Sequence, residues 1–330
     1  MKIAINGMGR IGRAALKVIL ETPELELVAV NDIVSAENIA YLIKYDSVYG
    51  IYEKIISYDA QNIIIDGSKI KYSSVKDPEE LPWEENGIDL VIESTGLFTT
   101  MEDAKKHIKA GANTVIVSAP TSSVDMPTIV HGVNSNDGKT SIFSCASCTT
   151  NNISPIVEIL GRRIGIKKAI MTTVHAYTAS QAIVDSPSKK NFRMGRAGAA
   201  NLIPTTTGAA IATTKALPEY IGKFDGVAIR VPIPVGSISD ITFIMERPVT
   251  VEEVNEILKE EAQSSRYDKV LDTTTEPIVS SDIVKSPFAS TADLSMTRVV
   301  DGDLLKVMTW YDNEWGFTNQ MIRLILDIKR

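Results

Sequence analysis

Cys148 lies in the run Ala146-Ser147-Cys148-Thr149-Thr150-Asn151, in a chain of 330 residues with two cysteines and three histidines. The hydroxyl and amide groups around the sulfur suit a reactive thiol better than an inert one packed among apolar side chains. The run stands where an extended segment gives way to a helix expected from near Thr149. That helix N-terminus would lower the thiol pKa, and its backbone amides could hold an oxyanion. A nucleophilic thiol needs a base, and histidine is the first choice. His107, beside Lys105, Lys106 and Lys109, reads as part of a solvated helix face. His131 interrupts an apolar strand over Thr128–Val133 and reads as structural. His175, in Val174-His175-Ala176-Tyr177-Thr178, ends a strand before a polar loop, where strand-borne catalytic groups reach a cleft, and is the expected partner of Cys148.

Cys145 and Cys148 also form a CxxC pair, by spacing half a metal site or a reversible disulfide. There is no second CxxC and the histidines are distant in sequence, so no metal is expected and the redox reading is the stronger of the two. Arg196, Arg230 and Thr205-Thr206-Thr207-Gly208 leading into a helix suit an anion, since guanidinium forks, hydroxyls and a helix N-terminus all favour phosphate. A second site is written in Gly7-Met8-Gly9-Arg10-Ile11-Gly12, a GxGxxG run between a strand and a helix. Gly7 permits a tight turn, Gly9 lets backbone approach a pyrophosphate and Gly12 allows close helix packing. Asp32 closes the next strand about 20 residues on, where a carboxylate accepts ribose hydroxyls and repels an added phosphate. NAD is therefore expected over NADP. Thr95-Gly96 and Ser118-Ala119-Pro120 add small groups at later strand ends, the edge where open sheets bind ligands.

The elements that must carry these residues change character along the chain. The first half alternates strands (Lys2–Asn6, Leu25–Asn31, Asp89–Thr95, Asn113–Ser118) with helices (Arg10–Glu21, Ser35–Lys44, Met101–Ala110, the last closed by Gly111). This predicts an α/β doubly wound, mostly parallel sheet, with an Asn62–Tyr72 hairpin around Asp66-Gly67 as decoration. The second half has longer strands (Lys167–His175, Val227–Val231, Ser237–Glu246, Leu304–Trp310) and fewer helices (Thr149–Arg162, Gly208–Leu217, Val251–Ala262). It predicts an α+β catalytic domain with a large mixed or antiparallel sheet. Thr178–Ala200, with Pro187 and basic residues at Lys189–Arg193, reads as a functional loop. Trp315–Lys329 has helical apolar spacing. The chain exceeds the size at which one core stops growing, so two domains are expected, 1–148 and 149–314, with 315–330 returning to the first. The formal charge of −7 argues against a nucleic-acid surface and for small anions as partners. Apolar runs fall short of the roughly 20 residues of a membrane span, and the cysteine usage fits a reducing compartment, so a cytoplasmic location is expected.

The run Ile5 to Arg13, the run ASCTTN around Cys148 and the block Trp310-Tyr311-Asp312-Asn313-Glu314 resemble phosphorylating glyceraldehyde-3-phosphate dehydrogenases over essentially the whole chain. The resemblance makes the doubly wound first domain a Rossmann domain and implies a homotetramer and an NAD-dependent oxidation of glyceraldehyde 3-phosphate with inorganic phosphate. In it, Cys148 is the nucleophile and His175 its base. Arg10, Ile11, Asp32, Lys76, Ser118 and Asn313 would contact NAD. Ser147, Thr149, Thr178, Arg196, Thr207, Gly208 and Arg230 would hold the substrate phosphate and inorganic phosphate. Pro187 resembles the NAD-preferring members. The chain departs from the family at Cys145, where asparagine is usual, at Asn152, where a second cysteine is common, at Ser180, where many members are acidic, and in the stretch Pro232–Ser237. The alternatives are a related dehydrogenase of another aldehyde phosphate, such as erythrose 4-phosphate, and a redox-sensing binding protein that uses Cys145 and Cys148.

Overall fold

The computed structural model describes residues 1–136, 138, 140–188 and 191–328. Of the basic loop residues expected to matter, Lys189 and Lys190 lie outside these. The described residues fall into two compact units. One draws on Met1–Ile129, Asn136–Ala146 and the segment from Met321, the other on Val130–Ser135 and Ser147–Gln320.

In the first unit the strands lie in the order Ile142–Ser144, Thr114–Val117, Leu90–Glu93, Lys2–Asn6, Glu26–Asn31, Ser68–Ser73, Asn62–Ile65, Ile56–Tyr58. The first six pair in parallel and the last two antiparallel. The Lys2–Asn6 strand is buried from Ile3 onward, as a central parallel strand covered on both faces must be. Ala4, Ala29, Trp83, Ile88 and Val91 form one cluster of its core and Ala104, Val115, Val117, Met126 and Ile142 another. The hairpin turns at Asp66 and Gly67, both with positive φ. It is more than decoration, because Ser68–Ser73 also pairs in parallel with Glu26–Asn31 and so extends the main sheet. Helices α1 (Arg10–Leu20), α2 (Ala36–Lys44) and α3 (Met101–Lys109) complete this unit's main helices.

Two expectations fail here. Thr128–Val133 is not a strand: Thr128 makes one isolated bridge to Ser144, and the chain then turns through His131. His107 is not on a solvated face but fully buried, bonded to the indole of Trp83 and close to Glu93. On a nine-residue helix the lysine neighbours occupy other faces, and spacing alone could not show what waited beneath.

The second unit is built on a mixed sheet in the order Ile203–Thr206, Phe224–Val231, Ile166–Ala176, Ser237–Met245, Leu304–Tyr311, Ser290–Asp293, Leu271–Thr274, with Arg298–Val300 added to Leu304–Tyr311. Ile166–Ala176 pairs in parallel with Phe224–Val231 and antiparallel with Ser237–Met245. Ser237–Met245 alternates strictly between buried and partly exposed, so one sheet face is packed and the other is not. Helices α4 (Cys148–Arg163), α5 (Ala209–Ala216) and α6 (Val251–Ala262) belong to this unit, and α7 spans Trp315–Ile328.

Helix α3 ends as its sequence predicted. Gly111 has φ +104°, its N–H reaches Ile108 O at 3.0 Å, and a Cβ there would lie 2.3 Å from Glu84 Cβ. Gly111→Ala is expected to destabilise this unit by roughly 1–3 kcal/mol, seen as a lowered thermal midpoint. An unchanged midpoint would show that the turn relaxes without cost.

Candidate active site

The glycine run forms the turn its spacing predicted. Gly7 has φ +97° and donates its N–H to Asn31 O at 2.8 Å, and a Cβ on it would lie 2.6 Å from Thr95 N. A Cβ on Gly12 would meet Gly7 O at 2.0 Å, so close packing excludes any side chain there. A Cβ on Gly9 would meet nothing within 4 Å, and Gly9 caps α1 without a side-chain bond. Space is therefore open beside Gly9 at this helix N-terminus, where backbone N–H groups favour an anion such as a pyrophosphate. Asp32 accepts Met8 N–H at 2.7 Å and Val34 N–H at 3.0 Å, tying the strand-end carboxylate to the turn. A groove of about 620 Å³ runs along Gly9, Asp32, Lys76, Thr95 and Lys106. Arg10 opens α1 with its guanidinium paired to Asp46 and laid over Tyr49, Ile11 is partly buried, and Gly96 has φ +71°. Ser118 donates its N–H to Glu93 O at the end of its strand. These residues fit a dinucleotide. Asn313 belongs to the second unit, where its Oδ1 accepts from Gly236 N and Ser237 Oγ.

The thiol sits one residue earlier in its helix than expected. Cys148 is the first residue of α4, and Ser147 caps the helix by accepting Thr150 N–H at 3.0 Å. Ala146, just before the cap, holds a left-handed φ of 62°, uncommon for alanine. Cys148 Sγ lies 3.4 Å from His175 Nε2. His175 stands directly opposite Arg230 in the parallel ladder, so the two side chains share a sheet face. Nδ1 of His175 lies 2.6 Å from both Ala176 O and Arg230 Nη1. A carbonyl can only accept and a guanidinium can only donate, so the two partners favour opposite tautomers. With Ala176, Nε2 is a bare base toward the thiol. With Arg230, Nε2 carries a proton to donate.

Tyr311 was missed as a site residue. Its hydroxyl bridges Thr149 Oγ1 at 2.9 Å and Thr173 Oγ1 at 2.8 Å, and its ring stands edge-on to His175. It joins the helix that carries the thiol to the strand that carries the base. The one available signal was an aromatic at the end of a strand inside a recognised block, which does not specify a contact.

Electrostatics also departs from expectation. Burial pushes the Cys148 thiol above its ordinary value, although Arg230 and Thr149 pull the other way. The helix N-terminus does not outweigh desolvation. Burial, then Arg230, pushes His175 down to about 3. Each isolated charge is disfavoured, but moving the proton from Sγ to Nε2 creates no net charge in the pocket. Cys145 is buried, donates to Val117 O at 3.5 Å and is pushed up to about 12 by burial, so it is a poor thiolate. Among the described residues no cluster of three or more His, Cys, Asp or Glu side chains is arranged for a metal ion.

The anion residues divide. Arg230 lies against His175, and its buried Nε has no hydrogen-bond partner among the described residues. Thr207 Oγ1 accepts Ala209 N–H at 3.2 Å and Gly208 caps α5 without a side-chain bond. Thr178 is bonded to Ser180 Oγ at 2.8 Å and to Gln181. Arg196 is exposed and its Nε is paired with Asp185 at 2.9 Å.

A doubly wound sheet with a groove that suits a dinucleotide, and elsewhere in the same chain a partly buried thiol beside a buried imidazole, is the make-up of a nicotinamide-dependent oxidoreductase. Residues 1–101 match the NAD binding domain of glyceraldehyde 3-phosphate dehydrogenase and residues 147–313 its C-terminal domain. The chain is 46% identical over 327 residues to a glyceraldehyde-3-phosphate dehydrogenase of Geobacillus stearothermophilus, spanning 98% of this chain and 97% of that protein. It is 45% identical over 328 residues to glyceraldehyde-3-phosphate dehydrogenase 2 of Streptomyces avermitilis and 44% over 330 residues to the enzyme of Clostridium pasteurianum, with the same coverage. The chain belongs to the glyceraldehyde-3-phosphate dehydrogenase family, and NAD is its cofactor.

His175→Asn removes the acceptor of the thiol proton and leaves Cys148 an isolated thiol whose pKa desolvation raises. Its alkylation by iodoacetamide is then expected to climb at higher pH than in the wild type. Coincident pH profiles would break the pairing.

Proposed function

We propose that the protein oxidises D-glyceraldehyde 3-phosphate with NAD and inorganic phosphate to 1,3-bisphosphoglycerate, in glycolysis or gluconeogenesis. The observation that carries this is Cys148 Sγ 3.4 Å from His175 Nε2, with Arg230 on the far side of the same imidazole. His175 takes the thiol proton, the thiolate attacks the aldehyde carbon, and the alkoxide so formed takes that proton back from His175, giving a hemithioacetal. Backbone N–H at the start of α4 steadies the developing oxyanion. NAD, when bound, is the hydride acceptor that allows the hemithioacetal to become a thioester, and the hydroxyl proton passes to His175. Gly7, Gly9, Arg10, Ile11, Gly12, Asp32, Lys76, Thr95, Gly96 and Ser118 hold the dinucleotide, with Asn313 toward its amide. Attack by inorganic phosphate then releases the acyl phosphate and returns the thiolate. Two anion sites are required. Arg230, with its unmet Nε, and Ser147, Thr149, Thr178, Arg196, Thr207 and Gly208 supply them, and Arg196 must leave Asp185 to take part.

We assign 1–148 as the NAD-binding domain, 149–314 as the catalytic and oligomerisation domain, and the terminal helix as returning to the first. A homotetramer in the cytoplasm is the proposed state. In support, Ile170, Ile183, Phe192 and Ile221 of the second unit are more than half exposed, and apolar side chains of this size in the open mark contact surfaces. No helix among the described residues is long and apolar enough to cross a membrane. The redox-sensor alternative is weakened by Cys145, whose buried, high-pKa thiol is a poor resolving group.

NADH formation is expected with glyceraldehyde 3-phosphate only when phosphate is present, more slowly with erythrose 4-phosphate, and with NAD in preference to NADP. Cys148→Ser is expected to lower turnover by at least about 10³-fold. Phosphate-independent turnover, or an active serine variant, would overturn the mechanism. Sedimentation equilibrium is expected to give four chain masses, and a single chain mass would remove the tetramer.

A further inference from the structure

A buried polar chain runs beneath the groove of the first unit. Glu93 ends a central strand with its side chain wholly out of solvent. Its Oε2 accepts from Asn6 Nδ2 at 2.6 Å and faces His107 Nε2 at 3.0 Å. Its Oε1 accepts Thr95 N–H at 2.8 Å and also the Thr95 hydroxyl. Trp83, fully buried, donates its indole N–H to His107 Nδ1 at 3.0 Å. An indole nitrogen can only donate, so Nδ1 must accept and the ring proton sits on Nε2, aimed at Glu93. From Asn6 the chain continues through Asn31 Nδ2, which donates to Asn6 Oδ1 at 2.7 Å, and Asn31 clamps Val75 through both its N–H and its carbonyl.

The two ends of this chain differ. Asn6, Asn31, Val75 and Thr95 line the groove, and Lys76 follows Val75. His107 and Trp83 do not line it. Glu93 therefore ties three groove-lining segments to one carboxylate, and the carboxylate is oriented from behind by a histidine whose tautomer a tryptophan sets. A carboxylate that loses one of its donors in a dry interior must recruit another, and those within reach are the groove-lining groups themselves.

We propose that His107 and Trp83 are positioning residues for the dinucleotide, acting through Glu93 on Thr95, Asn6 and the Val75–Lys76 segment. This rests on the reading of the groove as the NAD site. His107→Leu keeps the volume and removes the donor to Glu93. It is expected to raise the Kd and KM for NAD about tenfold, with kcat at saturating NAD and the KM for glyceraldehyde 3-phosphate within about twofold of wild type. His107→Gln, whose amide can donate to Glu93, is expected to recover most of the loss. A purely structural role would lower kcat and raise both KM values together, or lower only the thermal midpoint, and would overturn the proposal. Trp83→Phe keeps the packing and removes only the indole donor. If His107→Leu does not fold, this variant decides: NAD affinity weakened about threefold supports the relay, and unchanged affinity overturns it. NAD titration of the wild type separates the two levels. A wild type that binds no NAD overturns the groove assignment and the relay with it, whereas normal binding with unaffected variants overturns the relay alone.

Discussion

The constraint on which the second unit turns is the desolvation of its Cys148–His175 pair, the imidazole buried and the thiol partly so. A lone thiolate at Cys148 and a lone imidazolium at His175 are both disfavoured by desolvation. The two groups therefore have to meet at hydrogen-bonding distance, since proton transfer between them leaves the net charge of the pocket unchanged. Much of the architecture can be read as meeting that demand. Helix α4 is capped so that Cys148 is its first residue, the Ile166–Ala176 strand ends with His175 beside it, and Tyr311 fastens helix to strand through Thr149 and Thr173. Arg230 adds a positive charge that favours the thiolate and disfavours the imidazolium, and it competes with Ala176 for the imidazole nitrogen remote from the sulfur.

The first unit solves a different problem with similar means. A binding groove for a dinucleotide has to be polar where it meets ligand yet rest on an apolar parallel sheet. The strand ends Asn6, Asn31 and Glu93 satisfy one another across the sheet, so the transition from core to groove is made by hydrogen-bonded pairs with no unmet group among them.

Local signals made the first unit readable. Glycine spacing, the aspartate closing the second strand and the βαβ alternation each act over 20 residues or fewer, and Gly7, Gly12 and Asp32 occupy the positions that this spacing implies. Cys148 and His175 stand out in the sequence because thiols and imidazoles are scarce in this chain, and the fold brings the two side chains together. What could not be read is what depends on pairing between distant strands. His175 and Arg230 are 55 residues apart in the chain, and Tyr311 joins Thr173 from 138 residues away. His107 was misjudged for the same reason, since its partners Trp83 and Glu93 come from other elements. The direction of the Cys148 shift was also beyond sequence, because burial is a property of the fold.

The ladder that sets His175 opposite Arg230 also limits how this enzyme can change. Side chains alternate across a strand, so one residue inserted or deleted between Ala169 and Ala176, or between Phe224 and Val231, would turn the imidazole or the guanidinium to the opposite face of the sheet. Substitution can tune the two strands, but a change of length there would have to come in compensated pairs. Among the described residues of the excursion from Tyr177 to Lys223, the strand Ile203–Thr206 pairs with Phe224–Val231 and not with the strand of His175. A change of length in that span would leave the imidazole on its own face of the sheet, but it would shift Thr178, Arg196, Thr207 and Gly208, so its cost falls on the holding of anions and not on the thiol–imidazole pair.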